Sequence, residues 1–168
     1  MKPSPEGSQT ISQFEKLLVA LAKDGVDFAV VGGIAGIFNG LLPLTFSADI
    51  LVGTSPANLR KLLDCLSRWG EGFARELEVK DFPVQEGSIR ICDEYDLDIF
   101  TLMRGKSLDD FRSRLRHVEL NGVVVPILSP EDLVYLKSGS WREKDQLDVL
   151  AMKEILAREA AGQSPGSA

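Results

Sequence analysis

Two acid-bearing stretches and a pair of glycines are the residues here whose types and spacing could do chemistry. Asp49 stands at the mouth of an apolar run, Ile50-Leu51-Val52, with Ser47 two residues before it. Asp96 and Asp98 occupy "YDLDIF". Residues two apart along a strand share a face, so each pair projects to one side. A carboxylate on a half-buried strand is costly unless paired or metal-bound. Two such strands side by side would bring the acids together. Mg²⁺ takes hard oxygen ligands, often one or two carboxylates completed by substrate phosphates. The plainer alternative puts each acid at a strand end facing solvent.

The glycines are in "VVGGIAG". Gly32 and Gly33 join a strand to a helix, where backbone N–H groups can face an anion. The pattern is not GxGxxG, because the glycines fall at 32, 33 and 36, and no Lys-Ser/Thr follows to make a P-loop. A tight turn under a helix explains the same residues. Cations cluster in "KSGSWREKDQLD", where Lys137, Arg142 and Lys144 could meet phosphate; Lys144 could equally pair with Asp148 at i,i+4. "FRSRLRH" carries Arg112, Arg114, Arg116 and His117, either a solvated surface or an RNA contact. His117 is the sole histidine and no reactive cysteine arrangement accompanies it, which disfavours a nucleophilic triad or a His-based metal site.

Elements must position these groups. The sequence predicts a helix in "ISQFEKLLVALAKDG", a buried strand "DFAVVGG", a small helix "IAGIFNG" and a strand "ADILVG". "SPANLRKLLDCLSRWG" follows as a helix capped by Ser55 with Pro56 at its first position. Residues 71–87 are expected to hold a short helix and an edge strand. "SIRIC" and "YDLDIF" read as strands around an acidic turn. "SLDDFRSRLR" reads as a short helix capped by Ser107. "HVELNGVVVPIL" is a hairpin on its Asn121-Gly122 turn. Helices starting at Ser129-Pro130 and near Arg142 complete the chain. The fold class is α+β (mixed α/β), a small mixed sheet flanked by helices with a short C-terminal helical segment.

The 168 residues suit one domain, expected over 8–160 with flexible tails at 1–7 and 161–168. A hydrophobic share of 44% against 26% charged fits an ordinary globular chain. A net charge of -6 argues against a broad grip on nucleic acid, so no DNA partner is expected. Cys65 and Cys92 have no CxxC spacing and read as free thiols in a reducing compartment. No apolar run approaches the roughly 20 residues of a membrane helix, and the polar opening "MKPSPEGSQT" does not read as a signal peptide. A cytoplasmic location without a membrane partner is expected.

Taken in order, these motifs resemble the nucleotidyltransferase-like superfamily, in its branch of small bacterial minimal nucleotidyltransferases and abortive-infection toxins. The resemblance covers roughly Asp27 to Leu156. "VVGGIAGIFNGLLPLTFSAD" matches the family's strand, glycine pair, short helix, turn and Asp-x-Asp, with Gly32, Gly33, Ala35, Gly40, Thr45 and Asp49 in register. "LDIFT" supplies the third acid, Asp98. Lys137, Arg142, Lys144, Asp145 and Asp148 match the family's C-terminal stretch. The motif is partly degenerate: Ser47 replaces the first acid, and the turn that usually carries arginine reads "LLPL".

The resemblance implies the nucleotidyltransferase fold and a Mg²⁺- or Mn²⁺-dependent transfer of a nucleoside monophosphate from an NTP such as ATP to a protein or RNA hydroxyl. Asp49 and Asp98 would be the catalytic, metal-holding acids, with Ser47 and Asp96 as further ligands. Asp98 would also help deprotonate the attacking hydroxyl. Gly32, Gly33, Ser47, Lys137, Arg142 and Lys144 would bind nucleotide and phosphate. With one acid replaced, weakened activity is expected. The other expectation is a catalytically degenerate relative serving in binding or regulation, for example within a toxin–antitoxin pair.

Overall fold

A computed structural model describes residues 5–40, 47–138, 140 and 142–162. Helix α1 (Pro5–Lys23) leads into strand β1 (Phe28–Val31), which passes straight into helix α2 (Gly32–Phe38). Strand β2 (Ser47–Val52) and helix α3 (Pro56–Leu66) follow, then the hairpin of β3 (Ser88–Cys92) and β4 (Asp96–Phe100). A short helix α4 (Leu108–Phe111) precedes the second hairpin, β5 (Arg116–Leu120) and β6 (Val123–Ile127). Helices α5 (Pro130–Lys137) and α6 (Glu143–Ala160) close the chain. Thr45 and the "LLPL" turn lie outside the described residues.

The six strands form one mixed sheet in the order β3-β4-β2-β1-β6-β5. The β2/β4 and β1/β6 pairs are parallel and the rest antiparallel. This is the mixed α+β sheet with flanking helices expected from the order of elements. The β5/β6 hairpin turns on Asn121 and Gly122, both at positive φ (50° and 77°), the backbone that an Asn-Gly pair adopts with least strain. Ser55 and Ser129 accept hydrogen bonds from the N–H groups of Asn58 (3.1 Å) and Asp132 (3.3 Å), each with a proline at the start of the helix. These caps satisfy backbone donors left open at a helix start.

Helix α1 begins at Pro5, ahead of the Ile11 where the apolar spacing starts; its first turns are polar and leave no periodicity to read. Residues 71–87 differ from expectation. They hold two single-turn 3₁₀ helices, Phe73–Glu76 and Val79–Asp81, and no strand. Gly72 is left-handed (φ 78°), Glu78 and Asp81 cap each other reciprocally, and Pro83 removes a ladder donor, so the segment coils tightly. The edge of the sheet is instead β3.

The core is apolar and continuous. Leu18 and Leu21 of α1 are fully buried along with Ile50, Leu97 and Ile99 on the central strands and Leu62 and Leu66 of α3. Two asparagines tie the frame together. Buried Asn39, just past α2, donates to the carbonyls of Ala35 and Leu128, both at 2.9 Å, fixing the short helix against the end of β6. Asn58 donates to the carbonyls of Asp27 (3.0 Å) and Gly53 (2.8 Å) and accepts from the Asp27 N–H (2.7 Å). It clamps the start of β1 to the end of β2, which holds their register.

Candidate active site

Register places the acids. In the parallel β2/β4 pair Asp49 lies directly opposite Asp98, and Ser47 opposite Asp96. In the β3/β4 hairpin Arg90 lies opposite Asp98. Directly opposed residues share a face of the sheet, so Arg90, Asp98 and Asp49 form one row across three strands. On the other side of Asp49 is Val31, the last residue of β1.

The next residue, Gly32, bends the chain into α2 with φ of 66°. A Cβ at this position would lie 2.0 Å from Asp49 Oδ2. Only glycine allows both the left-handed backbone and the close approach of that backbone to the carboxylate. The glycine turn is therefore built around Asp49, which joins the first two sequence features into one site.

The two carboxyls are electrostatically unequal. Burial, then the charge of Asp98 and a hydrogen bond shared with it, push the Asp49 carboxyl up to about 7. Asp98 goes the other way, because Arg90 donates to both its oxygens: Nε to Oδ1 and Nη2 to Oδ2, each at 2.9 Å. Ser88 Oγ adds a bond to Oδ1 at 3.3 Å. Arg90 Nη1 also stands 3.7 Å from Asp96 Oδ2. A shared proton thus rests with Asp49 while Asp98 stays ionised. Arg90 is the residue of this row that the reading of motifs missed; the alternation of "SIRIC" and "DLDIF" about the turn at 93–95 is the signal that would have paired it with Asp98.

A cavity of about 210 Å³ opens on Asp49, lined among others by Gly32, Met103, Lys137, Arg142 and Asp145. It unites the glycine turn and one acid with the α5–α6 junction. Lys137 and Arg142 line it already engaged. Lys137 Nζ pairs with Asp148 and stands 4.0 Å from Asp145, while Arg142 pairs with Asp145 at 2.7 Å. Burial raises the Asp145 and Asp148 carboxyls, but hydrogen bonds and charge from Ser140, Arg142, Lys137 and Lys144 outweigh it and hold both below the usual range. Lys144 pairs with Asp148 at 3.1 Å, the i,i+4 bridge anticipated from the sequence.

The arginines of "FRSRLRH" each pair with a different acidic partner set. Arg112 pairs with Asp27 and Asp109, Arg114 with Asp132, and Arg116 with Glu159. A larger cleft of about 370 Å³ lies along α1 and α3 by Lys16, Lys23 and Trp69, but it lacks the acid pair. Among the described residues no group of three or more His, Cys, Asp or Glu side chains could hold a metal ion, and no helix is long and apolar enough to cross a membrane.

A family model described as "Nucleotidyltransferase of unknown function (DUF6036)" matches residues 9–158. Three solved structures share the fold. The lincosamide antibiotic adenylyltransferase LnuA, bound to lincomycin, superposes with a TM-score of 0.59 at 16% identity, over 86% of this chain and 96% of that one. An antigenic nucleotidyltransferase-like protein from Paracoccidioides brasiliensis gives 0.52 at 15% identity, over 87% and 78%. A candidate nucleotidyltransferase from Thermotoga maritima gives 0.52 at 18% identity, over 93% and 95%. No curated protein sequence matches the chain.

Proposed function

The chain belongs to this nucleotidyltransferase family, and on that premise we propose that it transfers a nucleoside monophosphate from an NTP, ATP among them, to a hydroxyl of a protein or RNA. The single observation that carries the reading is the facing of Asp49 and Asp98 across β2 and β4, with Gly32 closed against Asp49. A buried carboxyl pushed up to about 7 by burial and by the charge of its neighbour Asp98 gains from added positive charge. Among the described residues the acids alone form no three-carboxylate cluster, so a divalent cation there would be completed by oxygens of the nucleotide. Asp49 would hold it, with the unused lone pairs of Asp98 beside it and Ser47 and Asp96 on the same face as further oxygen donors. When bound, Mg²⁺ or Mn²⁺ supplies charge that polarises the phosphate oxygens.

The chain's own residues supply the rest. Backbone N–H groups at Gly32 and Gly33 sit where α2 starts and can face phosphate oxygens. Lys137 and Arg142 line the cavity and can turn part of their charge from Asp145 and Asp148 to the triphosphate. Lys144, outside that lining, lends charge through Asp148. The acceptor oxygen forms its bond to the α-phosphorus as the bond to the β-phosphate oxygen breaks, and pyrophosphate leaves. The hydroxyl proton goes to the acid pair, to Asp98 in the role that the family resemblance gives it, since Asp49 would be holding the cation. The cavity is smaller than the roughly 300 Å³ of a typical small-molecule pocket, which suits a phosphate tail with the nucleoside held further out.

A second reading is favoured by one specific pair. Arg90 spans Asp98, and Ser47 stands where the family has an acid, so a relative that binds nucleotide or a partner without transfer, such as half of a toxin–antitoxin pair, has the same geometry. Incubation with α-labelled ATP, CTP, GTP and UTP, Mg²⁺ or Mn²⁺, and cell extract separates the two. Label transfer that disappears in Asp49→Ala is the result expected. NTP binding by calorimetry without transfer under any condition supports the second reading, and no NTP binding with either metal rejects both nucleotide roles.

A further inference from the structure

We propose that Arg90 is a built-in cation of this site: its guanidinium engages both Asp98 oxygens that a second metal ion would need, so that the chain takes a single divalent ion, at Asp49. The proposal rests on the nucleotidyl-transfer reading for its purpose, but not for its test. Its basis is position. Arg90, Asp98 and Asp49 form a row across β3, β4 and β2, and adjacent strands lie about 4.8 Å apart. Arg90 therefore reaches Asp98 from the strand on the far side of it from Asp49.

The contact is two-pronged, with Nε and Nη2 each 2.9 Å from a different Asp98 oxygen. That planar match is what carboxylate and guanidinium make best, and a lysine cannot copy it. Asp98 is buried, with a side chain 8% exposed, whereas the Arg90 side chain is 55% exposed. Water reaches the cation and not the acid. Arginine does not lose its proton in proteins, so the charge is present at every working pH. The residue also stands on an edge strand, where many side chains would serve the fold equally well. It reaches a second acid of the same face too, Asp96 at 3.7 Å.

Two-metal sites place two ions a few ångströms apart between carboxylates and phosphate oxygens. Here a second ion at Asp98 would meet a fixed positive charge already bonded to both oxygens. With Ser47 in place of an acid, the site has ligand charge for one ion, and Arg90 supplies the remaining positive charge without binding anything. Arg90 is a positioning residue in this scheme: it holds Asp98 ionised and touches no reacting atom.

Mn²⁺ titrated alone into the full chain, without nucleotide, tests this by the spectrum of free Mn²⁺. Wild type should bind one ion per chain. Arg90→Met, which removes the charge and keeps an apolar stem, should bind Mn²⁺ about tenfold or more tightly. Arg90→Gln is a second neutral variant expected to behave the same way. Arg90→Lys should stay near wild type, and Asp49→Ala in the Arg90→Met background should lose the gain. A purely structural bridge would lower stability in all Arg90 variants and leave Mn²⁺ affinity unchanged. Unchanged or weaker Mn²⁺ binding in both neutral variants overturns the proposal, as does a wild type that binds two ions. NTP calorimetry on the same proteins reads the transfer hypothesis separately: a gain in Mn²⁺ affinity without NTP binding leaves Arg90's charge role intact and removes its purpose.

Discussion

Two clusters of charge meet at one cavity, through Asp49 on one side and Lys137, Arg142 and Asp145 on the other, yet they reach opposite electrostatic states. On the sheet, Asp49 and Asp98 meet one arginine, which commits both hydrogen-bonding prongs to Asp98 and leaves Asp49 raised to about 7. At the α5–α6 junction, Asp145 and Asp148 meet Lys137, Arg142 and Lys144, and both acids are held low. The second arrangement is settled: every acid has a cation in contact, and the Lys137–Asp148 bridge ties α5 to α6. The first is unsettled, and an acid kept from its preferred charge is typical of a group poised for a ligand. The comparison also assigns work. Lys137 and Arg142 would bind phosphate only by giving up part of a bridge, whereas Asp49 would gain from an arriving cation.

The largest effect that would break this contrast is on transfer. Asp49→Ala should reduce labelling from α-labelled NTP by at least about 100-fold, as loss of a group that stabilises charge in the transition state does. Asp145→Ala should instead lower stability, by about 1 kcal/mol, because Arg142 and Ser140 lose their acceptor while Lys137 keeps Asp148. Denaturant unfolding at pH 7 checks this.

Opposite pH signs sharpen the comparison. Asp49 binds its proton more tightly folded than unfolded, so its ionisation costs stability as pH rises from about 4 through about 7. Asp49→Asn should therefore be more stable than wild type at pH 8, by about 2 kcal/mol, and lose that slope. Asp145 and Asp148 are lowered, so their stabilisation is full above the ordinary value of 3.8 and is lost as pH falls through their folded values. Acid unfolding of Asp148→Asn should show a shallower loss below pH 4 than wild type.

Further effects come from the turn and the surface. Gly32→Ala must place a side chain on a left-handed backbone and displace the Asp49 carboxylate, for a cost of about 2 kcal/mol. Lys144→Ala removes an exposed partner and should change stability by less than about 0.5 kcal/mol, with transfer nearly intact.

The frame was legible because its signals are local. Ser-Pro starts mark α3 and α5, Asn-Gly marks the β5/β6 hairpin, and the glycine pair marks the β1–α2 turn. Asp49 and Asp98 were identifiable as candidates, since each stands where an acid would otherwise be costly in a strand. Their facing depended on strand order, which comes from long-range pairing of β2 with β4 and carries no local mark. Arg90 was harder to see. An arginine in "SIRIC" looks like any solvent-facing residue of an edge strand until the hairpin register sets it against Asp98. Residues 71–87 misled because their apolar residues suit several local shapes, and two 3₁₀ turns closed by capping prevailed over a strand.

The most direct measurement is the titration of the Asp49 carboxyl, followed by carbon-13 NMR with Asp49→Asn to assign its signal. The account predicts a midpoint near neutral pH in the free protein, well above that of Asp98, and a large downward move when Mg²⁺ and ATP are added together. A midpoint in the ordinary carboxylate range, unmoved by Mg²⁺ and ATP, would contradict it.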